Sequence, residues 1–261
     1  MAYFRSGLSS GGEDFSFTAL VNGSETVQTS VANCFASNGA IKNENIIIGD
    51  NVYNCANMFY YAQNFNGNVI IGNNVNNCYS MFSGASNLNR PIFIPKNVVD
   101  VLSMFSAATK LNENVIFETG SKANTFENFF RNEWIFNKPV SIPPLAQSCY
   151  QAFQDAYNFN QEIVIPLNVR TCNNMFTNCK NMRSNIYINN SNGIFVTNMF
   201  KNHYNHYRKN IFINNAQSIT TGYNTGTGSI VGAGITWSTM TNGYYNAYHN
   251  IYVYNNYTGN T

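Results

Sequence analysis

Apolar residues recur along this chain with a period of about 23 residues. One marker is a phenylalanine, repeated at intervals of 23 to 25 residues at Phe35, Phe59, Phe82, Phe105, Phe130, Phe153, Phe176 and Phe200. A second marker is a triplet of residues that favour β-strands and follows each phenylalanine, at residues 46–48, 69–71, 92–94, 115–117, 140–142, 163–165, 186–188 and 211–213. Two independent markers that share one period predict eight consecutive copies of one structural unit over residues 29–215.

The positions within a unit, counted from the marker phenylalanine, predict its local structure. Offsets −4, −1 and +3 are mostly apolar or small, which is the spacing of one face of a short helical turn. Offsets +10 and +12 are mostly Val or Ile, and their alternation predicts a short strand. One such unit is too small to bury its own apolar face, so neighbouring units must stack. We therefore expect a β-rich repeat solenoid with coils of about 23 residues, each a short helical turn plus a short parallel strand.

One polar position is as regular as the apolar ones. Offset +7 holds asparagine in five successive units, at Asn66, Asn89, Asn112, Asn137 and Asn160. Asparagine tolerates turn conformations, and its side chain can donate and accept hydrogen bonds. We expect these five residues to form a structural ladder that satisfies backbone groups between the turn and the strand.

The two ends depart from the repeat. Residues 1–28 contain an alternating stretch, Phe15 to Leu20, that could be a strand or extended arm; we expect an N-terminal arm or cap. Residues 216–261 are rich in Gly and Tyr, and we expect a C-terminal cap or contact region. Glycines 222, 226, 228, 232 and 234 are expected to break regular structure there. Ile251 to Tyr254 alternates like a further strand. The candidate contact residues are Trp237, Tyr244, Tyr245, Tyr248, Tyr252, Tyr254 and Tyr257, since aromatic residues give contact area at low entropy cost.

The repeat unit resembles two related families. The stretch from Ile94 to Asn112, with its Ile-Pro strand end and Met-Phe-Ser-Ala-Ala core, resembles the BspA-type leucine-rich repeat. Met58-Phe59-Tyr-Tyr-Ala62-Gln-Asn-Phe65-Asn66 is similar to the Met-Phe repeats of bacterial surface proteins. The resemblance covers about residues 29–215. It implies a right-handed leucine-rich-repeat-like solenoid with a role in adhesion or recognition, and it implies no catalytic residues.

Composition and charge narrow the function classes. Charged residues make up only 10% of the chain, the formal net charge is +2, and 48 of the 261 residues are Asn. This charge does not suggest a protein that tracks phosphates along a nucleic acid. No apolar stretch approaches the roughly 20 residues that span a bilayer, so no membrane insertion is expected. Residues 1–12 contain one basic residue and no apolar segment, so we expect no secretory signal there.

Cysteine and histidine suggest little chemistry. The six cysteines, at positions 34, 55, 78, 149, 172 and 179, fall mostly on core offsets, and we expect buried thiols. His203 and His206 have a spacing that can ligate metal on a helix, but both fall on inward offsets and fit a degenerate last coil better. No metal site and no cofactor are predicted, and no catalytic residue is assigned.

We therefore predict a non-enzymatic structural or recognition module. The first hypothesis is a bacteriophage virion protein, such as a tail or head fibre or a receptor-binding or decoration protein. The alternatives are a bacterial surface adhesin with BspA-like repeats and, from another class, a glycan-cleaving tailspike, which would need paired carboxylates. The expected partners are other virion or surface proteins within an oligomeric assembly, with a host-surface glycan or protein as a further candidate.

Overall fold

The structure is a computed structural model that describes residues 29–189 and 194–201, and the backbone of five further strands. The strands described are β1 (Phe15–Phe17), β2 (Thr29–Ser30), β3 (Ile46–Ile48), β4 (Val52–Asn54), β5 (Val69–Ile70), β6 (Ile92–Ile94), β7 (Val115–Phe117), β8 (Ile163–Ile165), β9 (Ile186–Asn189), β10 (Ile194–Phe195), β11 (Asn210–Asn214), β12 (Ser218–Thr221), β13 (Gly228–Gly232) and β14 (Asn250–Tyr254). The described residues contain no helix.

Strands that occupy the same place in successive repeats pair in parallel. One sheet has the order β1-β3-β5, a second contains β6 and β7, and a third has the order β14-β11-β9-β8. The registers join equivalent residues one repeat apart, as in Ile92 with Val115 and Ile163 with Ile186. At the far end Ile251 pairs with Ile211, so β14 takes the next place in the sheet despite the longer connection before it. We call each stacked copy of the repeat a layer.

Two sequence predictions about strands are wrong. The triplet at residues 140–142 forms no strand, and neither β7 nor β8 pairs across that layer. Pro139, Pro143 and Pro144 flank the triplet, and proline removes a backbone donor and fixes φ. In the C-terminal region, Gly228 and Gly232 do not break structure but bound β13, which pairs antiparallel with β10 and β12.

The segment around each marker phenylalanine folds as consecutive β-turns. Offsets −2 and +2 have positive φ in layer after layer, at Asn33, Ser37, Asn57, Tyr61, Ser80, Gly84, Ser103, Ala107, Asn128, Asn132, Gln151, Asp155, Asn174, Asn178 and, for −2 only, Asn198. Each of these is the third residue of a turn, where type II geometry requires positive φ. Positive φ twice within five residues is incompatible with an α-helix. The segment thus differs from the expected helical turn, although it points the same offsets inward.

The backbone amides of these turns donate hydrogen bonds alternately within their own layer and to the next layer. In the layer of Phe59, the amides of Met58, Tyr60 and Ala62 donate within the turns to the carbonyls three residues earlier. The intervening amides of Cys55, Asn57, Phe59 and Tyr61 donate instead to carbonyls of the next layer, at 2.8 Å each. The pattern continues through the layer of residues 140–142, with Phe130 donating to Ala152. We call the stacked β-turns of successive layers the turn column. The turn column therefore joins the layers at residues 140–142, where the sheet is interrupted.

A stack of phenylalanines fills the centre of the column. All eight marker rings lie one above the other, with centroid distances of 5.4, 5.2, 5.5, 5.8, 5.6, 5.5 and 5.7 Å between successive layers. From Phe59 to Phe200 these side chains are almost fully buried, and Phe35 is half-buried. The prediction that the marker positions face the core is confirmed. Offset-stacked aromatic pairs of this kind add about 0.5–1.5 kcal/mol each beyond the burial of their area.

Candidate functional site

The asparagines at offset +7 have one role in every layer. The side-chain Oδ1 of each accepts a hydrogen bond from the backbone amide of the equivalent residue in the next layer. The distances are 2.9 Å from Asn89 to Asn66, 2.9 Å from Asn112 to Asn89, and 2.9 Å from Asn137 to Asn112. Asn160 accepts from Arg183 where the run of asparagines ends. These side chains are committed to the stack and are not free to bind a ligand through Oδ1.

A second polar position, offset −5, stabilises the backbone where the turns of a layer begin. Offset −5 carries Asn54, Asn77 and Asp100, then Thr125, Ser148 and Thr171. In each case the side-chain oxygen accepts a hydrogen bond from the backbone amide two residues later, at 2.9–3.3 Å. This is the Asx-turn and its hydroxyl counterpart. The recurrence of short acceptor side chains at offset −5 is a sequence signal from which this turn could have been predicted.

None of the six cysteines, all of which lie in the described part of the chain, forms a disulfide bond. Cys55, Cys78, Cys149, Cys172 and Cys179 are buried and Cys34 is half-buried, which confirms the prediction of core thiols. Burial raises the pKa of Cys34 to about 11 and that of Cys55 to about 12. Burial also raises the pKa of Cys78 well above its usual value. A raised pKa removes the thiolate that nucleophilic chemistry needs, so these residues act as small apolar side chains.

Glu133 is the exception within the core. It occupies offset +3, which is alanine in the layers before and after it, and its side chain is 0% exposed. Neither carboxyl oxygen makes a hydrogen bond of good geometry with the described residues, although the backbone amide of Ala108 lies nearby. Burial raises the pKa of Glu133 well above its usual value, and the backbone amide of Ala108 offsets this only in part. Burial in the stack therefore favours the neutral form of this carboxyl over the charged form.

The outer side of the strands carries a row of exposed apolar residues. The middle residues of four of the triplets, Ile70, Phe93, Ile116 and Val164, are each at least half exposed, while the residues that flank Phe93 and Val164 in their strands point inward. The same outward position thus recurs in several layers and places exposed side chains in a row.

A polar groove runs along the turn column of the first layers. Its volume is about 460 Å³, and it is lined by Asn33, Asn57, Tyr60, Tyr79, Ser80, Ser83, Ser103 and Ser106. Most of these residues are at offsets −2 and +1, so equivalent positions of successive layers form the lining. A second groove of about 390 Å³ lies in later layers and is lined by Asn112, Ile135, Asn137, Asn158, Asn160, Asn181 and Arg183.

Several residues singled out by the sequence lie outside the described part of the chain. Of the contact candidates, Trp237, Tyr244, Tyr245, Tyr248 and Tyr257 are not described, and Tyr252 and Tyr254 are known only as backbone in β14. The histidine pair, His203 and His206, also lies there. Within the described residues, no group of three or more His, Cys, Asp or Glu side chains could hold a metal ion. The same residues include no helix long and apolar enough to cross a membrane.

Comparison with known proteins gives one family. No curated protein and no solved structure matches the chain. A family model described as "Mycoplasma protein of unknown function, DUF285" matches residues 27–143 and 144–221, about three quarters of the chain. This is a surface-repeat family related to the Met-Phe repeats that the sequence resembles, and the match does not single out the BspA type. The chain belongs to the DUF285 family.

Proposed function

We propose that this protein is a non-enzymatic recognition module at a surface, built as a right-handed leucine-rich-repeat-like solenoid that displays side chains to partners. One observation carries the proposal. The backbone hydrogen bonds, the inward residues and the asparagine ladder join the layers, and this leaves large side chains exposed on the outside of the stack. Tyr60, Tyr79, Phe93 and Ile116 are outward residues of this kind. Their regular rows suit the binding of an extended partner.

The family match supports a surface location and favours the cell-surface alternative over the virion hypothesis. The scarcity of acidic side chains, twelve in the whole chain, supports a role in binding over glycan cleavage, since hydrolysis requires two carboxylates in one groove. The partners we propose are other surface proteins and host-surface glycans or proteins, met within an oligomeric assembly.

Localisation tests this function directly. Antibodies against the full chain are applied to intact cells that produce it, before and after protease treatment of the cell exterior, with a cytoplasmic protein as control. We expect labelling of intact cells and its loss on protease treatment. Purified phage particles from the same host are probed in parallel, and a signal there would restore the virion form of the proposal. Protection of the chain until cells are lysed, with no signal in particles, would refute a surface role.

A further inference from the structure

The groove of the first layers is lined by hydrogen-bonding groups that the protein itself does not use. The hydroxyls of Ser80, Ser83, Ser103 and Ser106 and the side-chain amides of Asn33 and Asn57 make no hydrogen bond with the described part of the chain. Their backbone groups, by contrast, are all engaged in the turn column or in layer-to-layer bonds. These side chains are therefore available to a ligand.

Ser80 makes the strongest case among them. The residue as a whole is only 5% exposed, it lines the groove, and its hydroxyl makes no hydrogen bond with the described residues. The hydroxyl oxygen is not fully enclosed by the protein, so water or a polar ligand in the groove can reach it. An apolar partner in the groove would instead displace that water and leave the hydroxyl without a hydrogen bond, at a cost of about 1–3 kcal/mol.

Two aromatic rings add an apolar component to the groove. Tyr60 and Tyr79 are each 39% exposed, and Tyr60 makes an edge contact with Tyr61 at a centroid distance of 4.6 Å that helps to fix its orientation. Rings that expose a face beside hydroxyl and amide groups match ligands with both apolar and polar surfaces. No Lys, Arg, Asp or Glu lines the groove, so it offers no counter-charge to an ionic ligand.

We propose that this groove binds a neutral oligosaccharide. A sugar ring has an apolar face that packs on tyrosine and a rim of hydroxyls that pair with serine and asparagine. Layers about 4.8 Å apart repeat the lining at a spacing comparable to one sugar ring, so an extended glycan meets similar groups in each layer. The inference rests on the proposed recognition function and names the ligand class for it.

The second groove does not share these properties. Three of its asparagines, Asn112, Asn137 and Asn160, use Oδ1 to hold the backbone of the next layer. Arg183 brings a positive charge to it. The contrast assigns the neutral glycan to the groove of the first layers only.

The test uses the full chain, biotinylated and assembled on streptavidin so that weak single-site binding is amplified by multivalency. The probe is a printed array of neutral hexose- and N-acetylhexosamine-containing oligosaccharides, with sialylated and sulfated glycans beside them. We expect neutral glycans to bind above blank spots. Binding to acidic glycans alone, or to none, would overturn the proposal.

Substitutions then locate the site. Tyr79→Ala removes a groove ring, and Tyr150→Ala is the matched control, because Tyr150 occupies the same offset in a later layer, is 37% exposed and lies outside the groove. We expect Tyr79→Ala to weaken binding about 10-fold or more, a loss equivalent to about 1.4 kcal/mol, and Tyr150→Ala to leave it within about 2-fold. Ser103→Ala, which removes one hydroxyl without adding bulk, is a second variant should Tyr79→Ala fold poorly, and we expect it to weaken binding at least about 3-fold.

Equal effects of the groove and control substitutions would refute the site. The localisation experiment keeps this outcome separate from the proposed function. A chain that is displayed on a surface but binds no neutral glycan refutes the groove ligand alone. A chain that binds glycans but is never displayed refutes the surface role.

Discussion

Replacing Asn112 by alanine tests whether the asparagine ladder joins layers that the sheet leaves unjoined. Oδ1 of Asn112 accepts the backbone amide of Asn137 at 2.9 Å. This is the step at which β7 has no strand partner in the following layer, because the triplet at residues 140–142 forms no strand. Among the described residues, the backbone hydrogen bonds that cross this junction are those of the turn column, that of the ladder, and one from the Asn124 amide to the Val99 carbonyl at 3.2 Å, just before the turns.

The expected magnitude follows from the loss of one acceptor. The Asn137 amide loses its partner in a half-buried position, which costs about 1–3 kcal/mol when water cannot fully replace it. We expect the lower half of that range, roughly 1–2 kcal/mol, since Asn112 and Asn137 are only partly buried. Asn112→Asp keeps an acceptor oxygen in place, and we expect it to retain most of the stability.

Asn114→Ala is the matched control, because Asn114 lies two residues away, is exposed and makes no side-chain hydrogen bond in the described part of the chain. Its free energy of unfolding should change by less than about 0.5 kcal/mol. Chemical denaturation measures the difference as a change in midpoint at constant slope. Hydrogen exchange should show faster exchange at the Asn137 amide in Asn112→Ala alone. Equal stabilities of the two alanine variants, with unchanged exchange at Asn137, would show that the ladder does not support the stack.

Three further predictions concern the core and the turns. Because burial raises the pKa of Glu133, the contribution of this residue to stability should be most favourable below its unfolded-state pKa of about 4.3 and should become less favourable as pH rises above it, by at most about 1.4 kcal/mol per pH unit. Glu133→Gln should flatten the dependence of denaturation midpoint on pH, and an equal slope in both proteins would contradict this. Gly84→Ala should lower the melting temperature more than Gly120→Ala. Both glycines have positive φ, so both substitutions strain the backbone, but only at Gly84 would the added Cβ also lie 3.0 Å from the ring of Tyr61. An aromatic-disulfide thiol reagent should label Cys34 first in the native protein and the five buried cysteines only on unfolding, whereas rapid native labelling of all six would contradict their burial.

The inward residues could be predicted because a repeated pattern averages out the noise of single positions. Phe, Met, Cys and Ala at fixed offsets had to face one core, and the marker phenylalanines do so. The strand at residues 140–142 was mispredicted because Val140 and Ile142 match the period, whereas the flanking prolines remove backbone donors and disfavour a strand there.

The turn geometry was harder to predict for a physical reason. Offsets −4, −1 and +3 share a face in a helix, and they also share a face in three consecutive β-turns, so hydrophobic spacing alone does not separate the two. The separating signal lies at offsets −2 and +2, where Asn57, Asn132 and Asn178 adopt positive φ. Asparagine is enriched in that conformation, and its recurrence there favours turns over helix. The groove could not be predicted, because it depends on which outward side chains leave their polar groups unused.

The abundance of asparagine follows from the stacking itself. Any side chain repeated at one offset meets its own copy about 4.8 Å away in the next layer. Two like charges at that distance repel by about 1 kcal/mol even at the dielectric constant of water, and the cost would recur at every layer. Asparagine supplies hydrogen-bonding groups without charge. It accepts the ladder bond at Asn112, caps a turn at Asn77 and adopts positive φ at Asn132. A chain with 48 Asn and only 10% charged residues fits such a stack, and the same chemistry leaves the groove of the first layers uncharged and rich in hydrogen-bonding groups.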